Sequence, residues 1–375
     1  MRIMDNPNYN IQGLEEYIRQ SEPDRRERGE AWRVAIGLQQ VDGLTPSDYL
    51  VDTAKQHIDG MITISEAKAL IDSYYQSASS RHEVENNRTE EADKVSARIA
   101  ELLSEKTFNF SPAQLTSIHR RLFEGIYKLA GRIRDYNITK NEWVLNGDTI
   151  YYADYSTISE TLEYDMRTER EFSYAGLPID DAIRHLIRFC ANLWQIHAFC
   201  EGNTRTVAVF MIKYLRTLGF NVVNDTFAQN SWYFRNALVR ANYRNLRKGI
   251  TDTTVYLERF FRSMLLGEAH IFRNRELHVD WKDAEASDNA QSAKDTVQSA
   301  NSALYLPSKC KSCTLEEVAV LRIIQVKPTA TQKEMAKGIG KSERTVKSIT
   351  VALQEKGVLQ RVGGKRDGRW EIIAE

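Results

Sequence analysis

Ten residues from His197 to Thr206, H-A-F-C-E-G-N-T-R-T, hold the most evident chemistry in this 375-residue chain. His197 is the one side chain among them that titrates near neutral pH, which suits a general base. Glu201 is a hard oxygen ligand of the kind that holds magnesium beside a nucleotide. Gly202 has no side chain to keep a phosphate off the backbone. Arg205 offers a planar fork to further phosphate oxygens. The bland alternative is a core histidine followed by a polar helix cap.

The flanking sequence says how such residues are held. Ile183, Leu186, Ile187, Leu193 and Ile196 precede the stretch at helical spacing. Val207, Val209, Phe210, Ile212, Leu215 and Leu218 follow it, with Gly219 as a helix stop. The stretch is therefore expected to be a short loop between two buried helices, its last residues opening the second. A helix N-terminus presents unpaired N–H groups and the positive end of the dipole, which favours phosphate.

These residues resemble the signature of the Fic family, His-x-Phe-x-(Asp/Glu)-Gly-Asn-Gly-Arg-x-x-Arg. His197, Phe199, Glu201, Gly202, Asn203 and Arg205 match it in register. Thr204 stands at its second glycine, and Ala208 stands at its last arginine, removing a phosphate ligand. The resemblance implies a protein adenylyltransferase, moving AMP from ATP to a Ser, Thr or Tyr hydroxyl of a target protein or of the enzyme itself. It implies His197 as base, a nucleotide on Gly202, Asn203, Thr204 and Arg205, and Mg2+ on Glu201. An aromatic on the helix after the motif is implied to pack on adenine, and Tyr233 is the residue chosen. The reading from another class is a DNA-binding transcription regulator whose Fic domain senses nucleotide without catalysis.

Bulk charge names no partner, because Lys plus Arg equal Asp plus Glu at 51 each. Residues 1–10 lack a basic-then-apolar leader pattern, and no apolar run approaches membrane-spanning length. Four cysteines fit a reducing, cytoplasmic setting. Cys310 and Cys313 make a lone C-x-x-C without a second pair, so free thiols are expected rather than a zinc site. No membrane partner is expected, and a homodimer stays open.

The expected fold is mainly α: a Fic-type helical bundle with a small β-hairpin flap, plus a C-terminal winged helix-turn-helix domain. Residues 1–75 read as a helical module similar to the small antitoxins that accompany some Fic proteins. Their inhibitory helix carries Ser/Thr-x-x-x-Glu-Gly, and Leu38 to Gly43 matches it in part, with Asp42-Gly43 as the inhibitory pair. An ordinary amphipathic core helix is the alternative, and Glu85-Asn86 is the second-ranked pair. Residues 76–91 are polar and read as a connector, and the catalytic domain is expected over 92–275.

Within that domain Trp143-Val144-Leu145 and Thr149 to Tyr152 flank Asn146-Gly147-Asp148, a strong hairpin signal. The resemblance implies that Val144, Leu145, Asn146 and Gly147 line the site as a flap and register the target by strand addition. Residues 276–313 are rich in Ala, Ser, Asp, Asn and Gln and read as a linker. Residues 314–375 then give three helices and a hairpin, the order of a winged helix. Between Lys327 and Arg369 eleven Lys/Arg face four Asp/Glu, a bias that favours nucleic acid. Ser342, Arg344 and Lys347 on the third helix, with Lys365 and Arg366 at the wing, are the candidate DNA contacts. Docking to protein alone is the alternative.

Overall fold

The computed structural model describes residues 22–78, 85–220, 225–281, 313–364 and 368–373. The chain divides into two compact units: residues 1–107 with 121–128 and 223–231, and residues 108–120, 129–222 and 232–375.

In the first unit, α1 (Arg25–Gly37) leads into a 3-10 turn (Leu38–Asp42), followed by α2 (Asp48–Ile58), α3 (Ile64–Ala78) and α4 (Glu85–Ser104). Asp24 and Ser47 start α1 and α2 by accepting from Glu27 N and Leu50 N. One buried carboxylate ties three helices together. Asp93 on α4 accepts from Ser47 N at 2.8 Å and from Tyr75 Oη at 2.7 Å. Gly37 is required because a Cβ there would lie 2.2 Å from Ala228 O. Asp42 and Gly43 end the 3-10 turn, Gly43 in the left-handed region at φ 66°, and Arg88 donates to Asp42 O at 2.8 Å. The Glu85-Asn86 pair opens α4.

Of the connector expected over 76–91, residues 79–84 lie outside the described residues, while 76–78 end α3 and 85–91 open α4. Solvent-facing helical turns need no apolar period, and a Lys94–Glu90 pair one turn apart, at 2.7 Å, supports this one.

The second unit contains most of α5 (Pro112–Phe123), α6 (Ile158–Glu171), α7 (Ile179–Ile196), α8 (Asn203–Thr217), most of α9 (Asp225–Ala241) and α10 (Val255–Leu266). Every residue of α8 from Asn203 to Leu215 is buried, so it is the central rod of the bundle. The sequence gives little sign of α6, because only Ile158, Leu162, Met166 and Glu169 face inward.

The winged helix follows in the same unit as α11 (Leu315–Val326), α12 (Gln332–Ile339), α13 (Glu343–Glu355) and the antiparallel pair β1 (Leu359–Val362) and β2 (Arg369–Ile372). Thr314 and Thr331 form reciprocal capping boxes with Glu317 and Glu334, and Ser342 caps α13. Lys365 and Arg366 lie outside the described residues, as does Cys310. The domain seats on the helices before it. Ile179 N donates to Cys313 O at 2.8 Å, and the half-buried Arg322 donates from Nε and Nη2 to Leu265 O at 3.2 and 3.0 Å. Burial lowers the Arg322 guanidinium to about 10. Gly219, at φ 90°, leaves room for Ala319 and Ile339, each 3.3 Å from where a Cβ would stand. No helix among the described residues is long and apolar enough to cross a membrane.

The hairpin expected around Asn146-Gly147 is corrected. Trp143–Leu145 form a 3-10 turn, and no strand is assigned at 149–152. Val144 and Leu145 are consecutive and both buried, so the alternation a strand edge needs is absent. The turn chemistry itself is present. Asn146 and Gly147 take φ 58° and 83°, and Gly147 N donates to Glu142 O at 3.0 Å.

Candidate active site

α7 ends at Ile196, and His197 reverses the chain in the left-handed region at φ 50° and ψ 56°. A non-glycine residue rarely sits there, and surrounding contacts must hold it. Arg134 supplies them. Its guanidinium is buried and donates from Nε to His197 O at 2.8 Å and from Nη1 to Tyr136 O at 2.7 Å. Nη2 reaches Ala153 O and Ile196 O, while Arg134 N donates to Ala198 O at 2.9 Å.

The loop then closes on itself. Asn203 Nδ2 donates to Phe199 O at 2.7 Å, and its Oδ1 accepts from Phe199 N at 2.9 Å. Both ends of that amide are thus bonded to the loop, so Asn203 holds the loop's shape. Thr204 accepts from Trp194 Nε1 at 2.9 Å, which gives the hydroxyl at the second glycine position a partner in the core. Gly202 is left-handed at φ 73° and is the N-cap of α8, so the first amides of a buried helix begin at the loop.

His119, on α5, packs under the loop. Its ring stacks on Phe199 at 3.8 Å, Nδ1 accepts from Gly131 N at 2.8 Å, and Nε2 lies 3.0 Å from Glu201 O. Those two bonds require the neutral imidazole with its proton on Nε2. Burial, with the Arg205 charge adding to it, pushes His119 down to about 4.

The chemical groups sit on this frame. His197 is 4% exposed, and neither ring nitrogen is hydrogen-bonded to another side chain among the described residues. Burial holds the ring well below its ordinary pKa, the cationic Lys140, Arg235 and Arg134 push the same way, and the Trp194 carbonyl opposes them. A neutral imidazole can accept a proton. Glu201 has its side chain 61% exposed, with Lys140 Nζ at 3.2 Å. Among the described residues no group of three or more His, Cys, Asp or Glu side chains could hold a metal alone. A single open carboxylate fits a magnesium ion that arrives with phosphate oxygens as its other ligands. Arg205 is fully buried at the loop's end.

Tyr233 does not face outward: it is 1% exposed and packs edge-on against Phe272 at 4.8 Å. Its neighbour Trp232 is half-buried and carries Arg235 over its ring at 5.2 Å. The sequence also gives no role to Arg134, His119 or Glu142. Their partners His197, Glu201 and Arg235 stand 63, 82 and 93 residues away, beyond any local spacing rule.

The two histidines set an acid limit. Each folded-state pKa lies below the unfolded value of about 6.5, so their contribution is complete above that pH and falls as pH drops below it. For His119 the loss runs down to about 4 and reaches about 2 kcal/mol at pH 5. Denaturant melts at pH 7 and pH 5 should show it, and a His119→Gln chain should show a smaller difference.

Three comparisons with known proteins bear on this geometry. Residues 109–215 match the Fic/DOC family, and residues 317–360 match a winged helix-turn-helix DNA-binding family. The curated protein adenylyltransferase VbhT of Bartonella schoenbuchensis is 24% identical over 218 residues, which is 56% of this chain and 42% of that protein. The chain thus spans less than half the length of that relative. A solved Fic family protein from Desulfovibrio desulfuricans G20 aligns with 98% of this chain and 90% of its own, at 11% identity and a TM-score of 0.39.

Proposed function

We propose that this chain, which carries a Fic/DOC domain and a C-terminal winged helix-turn-helix, is a protein adenylyltransferase. The observation that carries the reading is the buried His197 imidazole, neutral and bonded to no other side chain, at the head of a glycine-capped helix N-terminus. His197 takes the proton from a Ser, Thr or Tyr hydroxyl as that oxygen attacks the α-phosphorus of ATP. The bond to the leaving pyrophosphate breaks, and AMP stays on the hydroxyl oxygen. The first amides of α8 and Arg205 face the phosphate charge. Glu201 would hold a magnesium ion with the phosphates, and that ion offsets charge on the leaving group when bound. ATP and a hydroxyl-bearing protein are the proposed partners. Incubation with ATP labelled in the α-phosphate, reading label on the chain and on lysate proteins, tests this. Label absent from both overturns it. The restraint assigned to Asp42 and Gly43 rests on the sequence resemblance, and an Asp42→Gly chain that transfers no faster removes it.

A DNA-binding role is favoured by a separate observation. Ser342, Arg344 and Lys347 are all exposed at the start of α13, the third helix of the winged domain. Removing two phosphate-binding cations, in an Arg344→Ala, Lys347→Ala chain, should flatten the log affinity against log salt slope by about two. An unchanged slope moves the winged helix to protein docking.

A further inference from the structure

We propose that Tyr152 is a positioning residue that holds the His197 ring in its working orientation, itself braced by the buried Glu142–Arg235 pair. A catalytic base is ordinarily oriented by a hydrogen bond from a third group to its second nitrogen. The Trp194 carbonyl acts on the His197 ring, but no side chain among the described residues hydrogen-bonds either nitrogen, so ring contacts must complete the orientation.

Two rings touch it: Tyr152, centroid 4.3 Å away and tilted 44°, and Trp194 at 5.4 Å and 86°. Trp194 is fixed through its indole N–H on Thr204. Tyr152 is fixed at every handle. Gln195 Nε2 donates to the carbonyl before it, Tyr151 O, at 2.9 Å, and Arg134 donates to the carbonyl after it, Ala153 O. Its hydroxyl donates to Glu142 Oε1 at 3.3 Å. Glu142 is 1% exposed and is gripped in turn by Arg235, with Nη1 and Nη2 at 2.6 and 3.1 Å from its two oxygens. The 3-10 turn at Trp143–Leu145 starts from Glu142, whose carbonyl accepts from Leu145 N and Gly147 N. That turn therefore serves to aim a carboxylate inward, which accounts for the burial of Val144 and Leu145 behind it. An edge or tilted ring contact has a directional preference that a rotatable aliphatic chain lacks.

This rests on His197 being the base, and the experiment separates the two readings. Tyr152→Phe keeps the ring and drops the hydroxyl; Tyr152→Leu drops the ring. With ATP as the varied substrate, Tyr152→Leu is expected to lower kcat about 100-fold while KM for ATP stays within about twofold, the loss expected of a misplaced base. Tyr152→Phe should recover at least about tenfold of that loss. In parallel, the His197 ring resonances of 15N-histidine-labelled chain should shift and broaden in Tyr152→Leu and stay near their original positions in Tyr152→Phe. A Tyr152→Leu chain with wild-type kcat and unmoved ring resonances overturns the proposal. If the unmodified chain transfers nothing, the assignment of His197 as base fails and the resonances alone decide the positioning: unmoved, it falls; shifted, it stands.

Discussion

Replacing His197 by alanine should remove adenylyl transfer while leaving ATP affinity largely intact. A general base contributes typically about 10²–10⁴-fold to rate. The ring is buried against Tyr152 and Trp194, so a denaturant melt of the His197→Ala chain is needed to separate loss of activity from loss of packing. The left-handed backbone at 197 is held through the carbonyl by Arg134, and alanine leaves that bond in place. Titration calorimetry with ATP and a gel of α-label transfer measure the two quantities separately. Undiminished transfer would sink the assignment. A parallel loss of affinity would instead place the ring on the nucleotide. The pH dependence follows from the same burial. The imidazole is held well below its ordinary pKa, so the rate should stay flat as pH falls from 8 through 6.5, where an exposed histidine would already have lost half its base form.

Arg134→Ala should cost more stability than any single change within the His197–Thr206 loop it supports. The guanidinium is 2% exposed and donates to carbonyls of residues 136, 153, 196 and 197. Hydrogen bonds from a charged donor contribute about 1.5–3 kcal/mol each, and acceptors left unpaired in the interior add a penalty. An Arg134→Ala chain is expected to lose about 4 kcal/mol or more. Arg134→Lys should recover little, because one ammonium cannot match a planar fork. Chemical denaturation of the three chains measures this. A loss below about 1 kcal/mol would mean that the carbonyls find other donors.

How far the sequence carried depended on the range of the contacts. The two helices around the catalytic loop were legible because α7 has a strong apolar stripe and α8 continues it, and both appear where the periodicity places them. The winged helix was legible from the order of three helices and a hairpin over 314–375, and those elements appear in that order. The flap was misread for an instructive reason. Asn146-Gly147 signals a left-handed turn, and that turn exists, but the signal says nothing about what it connects. The adjacent buried pair Val144 and Leu145 lacked the alternation of a strand, and that was visible in the sequence. Tyr233 shows the opposite limit. Trp232, Tyr233 and Phe234 are three consecutive aromatics whose sequence cannot say which one meets a ligand, and the ring at 233 is buried against Phe272. The roles of Arg134, His119 and Glu142 depend on partners brought close only by the fold.

The 18 residues of α7 join two regions that otherwise have separate chemistry. Its first amide, at Ile179, is bonded to the carbonyl of Cys313 immediately before the winged helix, and its last turn hands directly to His197. At 1.5 Å per residue the rod is about 27 Å long. An α-helix resists axial compression through its whole ladder of hydrogen bonds, so it behaves as a strut rather than a tether. A load on the winged domain that shifts Cys313 pushes along that strut toward the base, and the left-handed residue at its far end is the joint where the push would be felt.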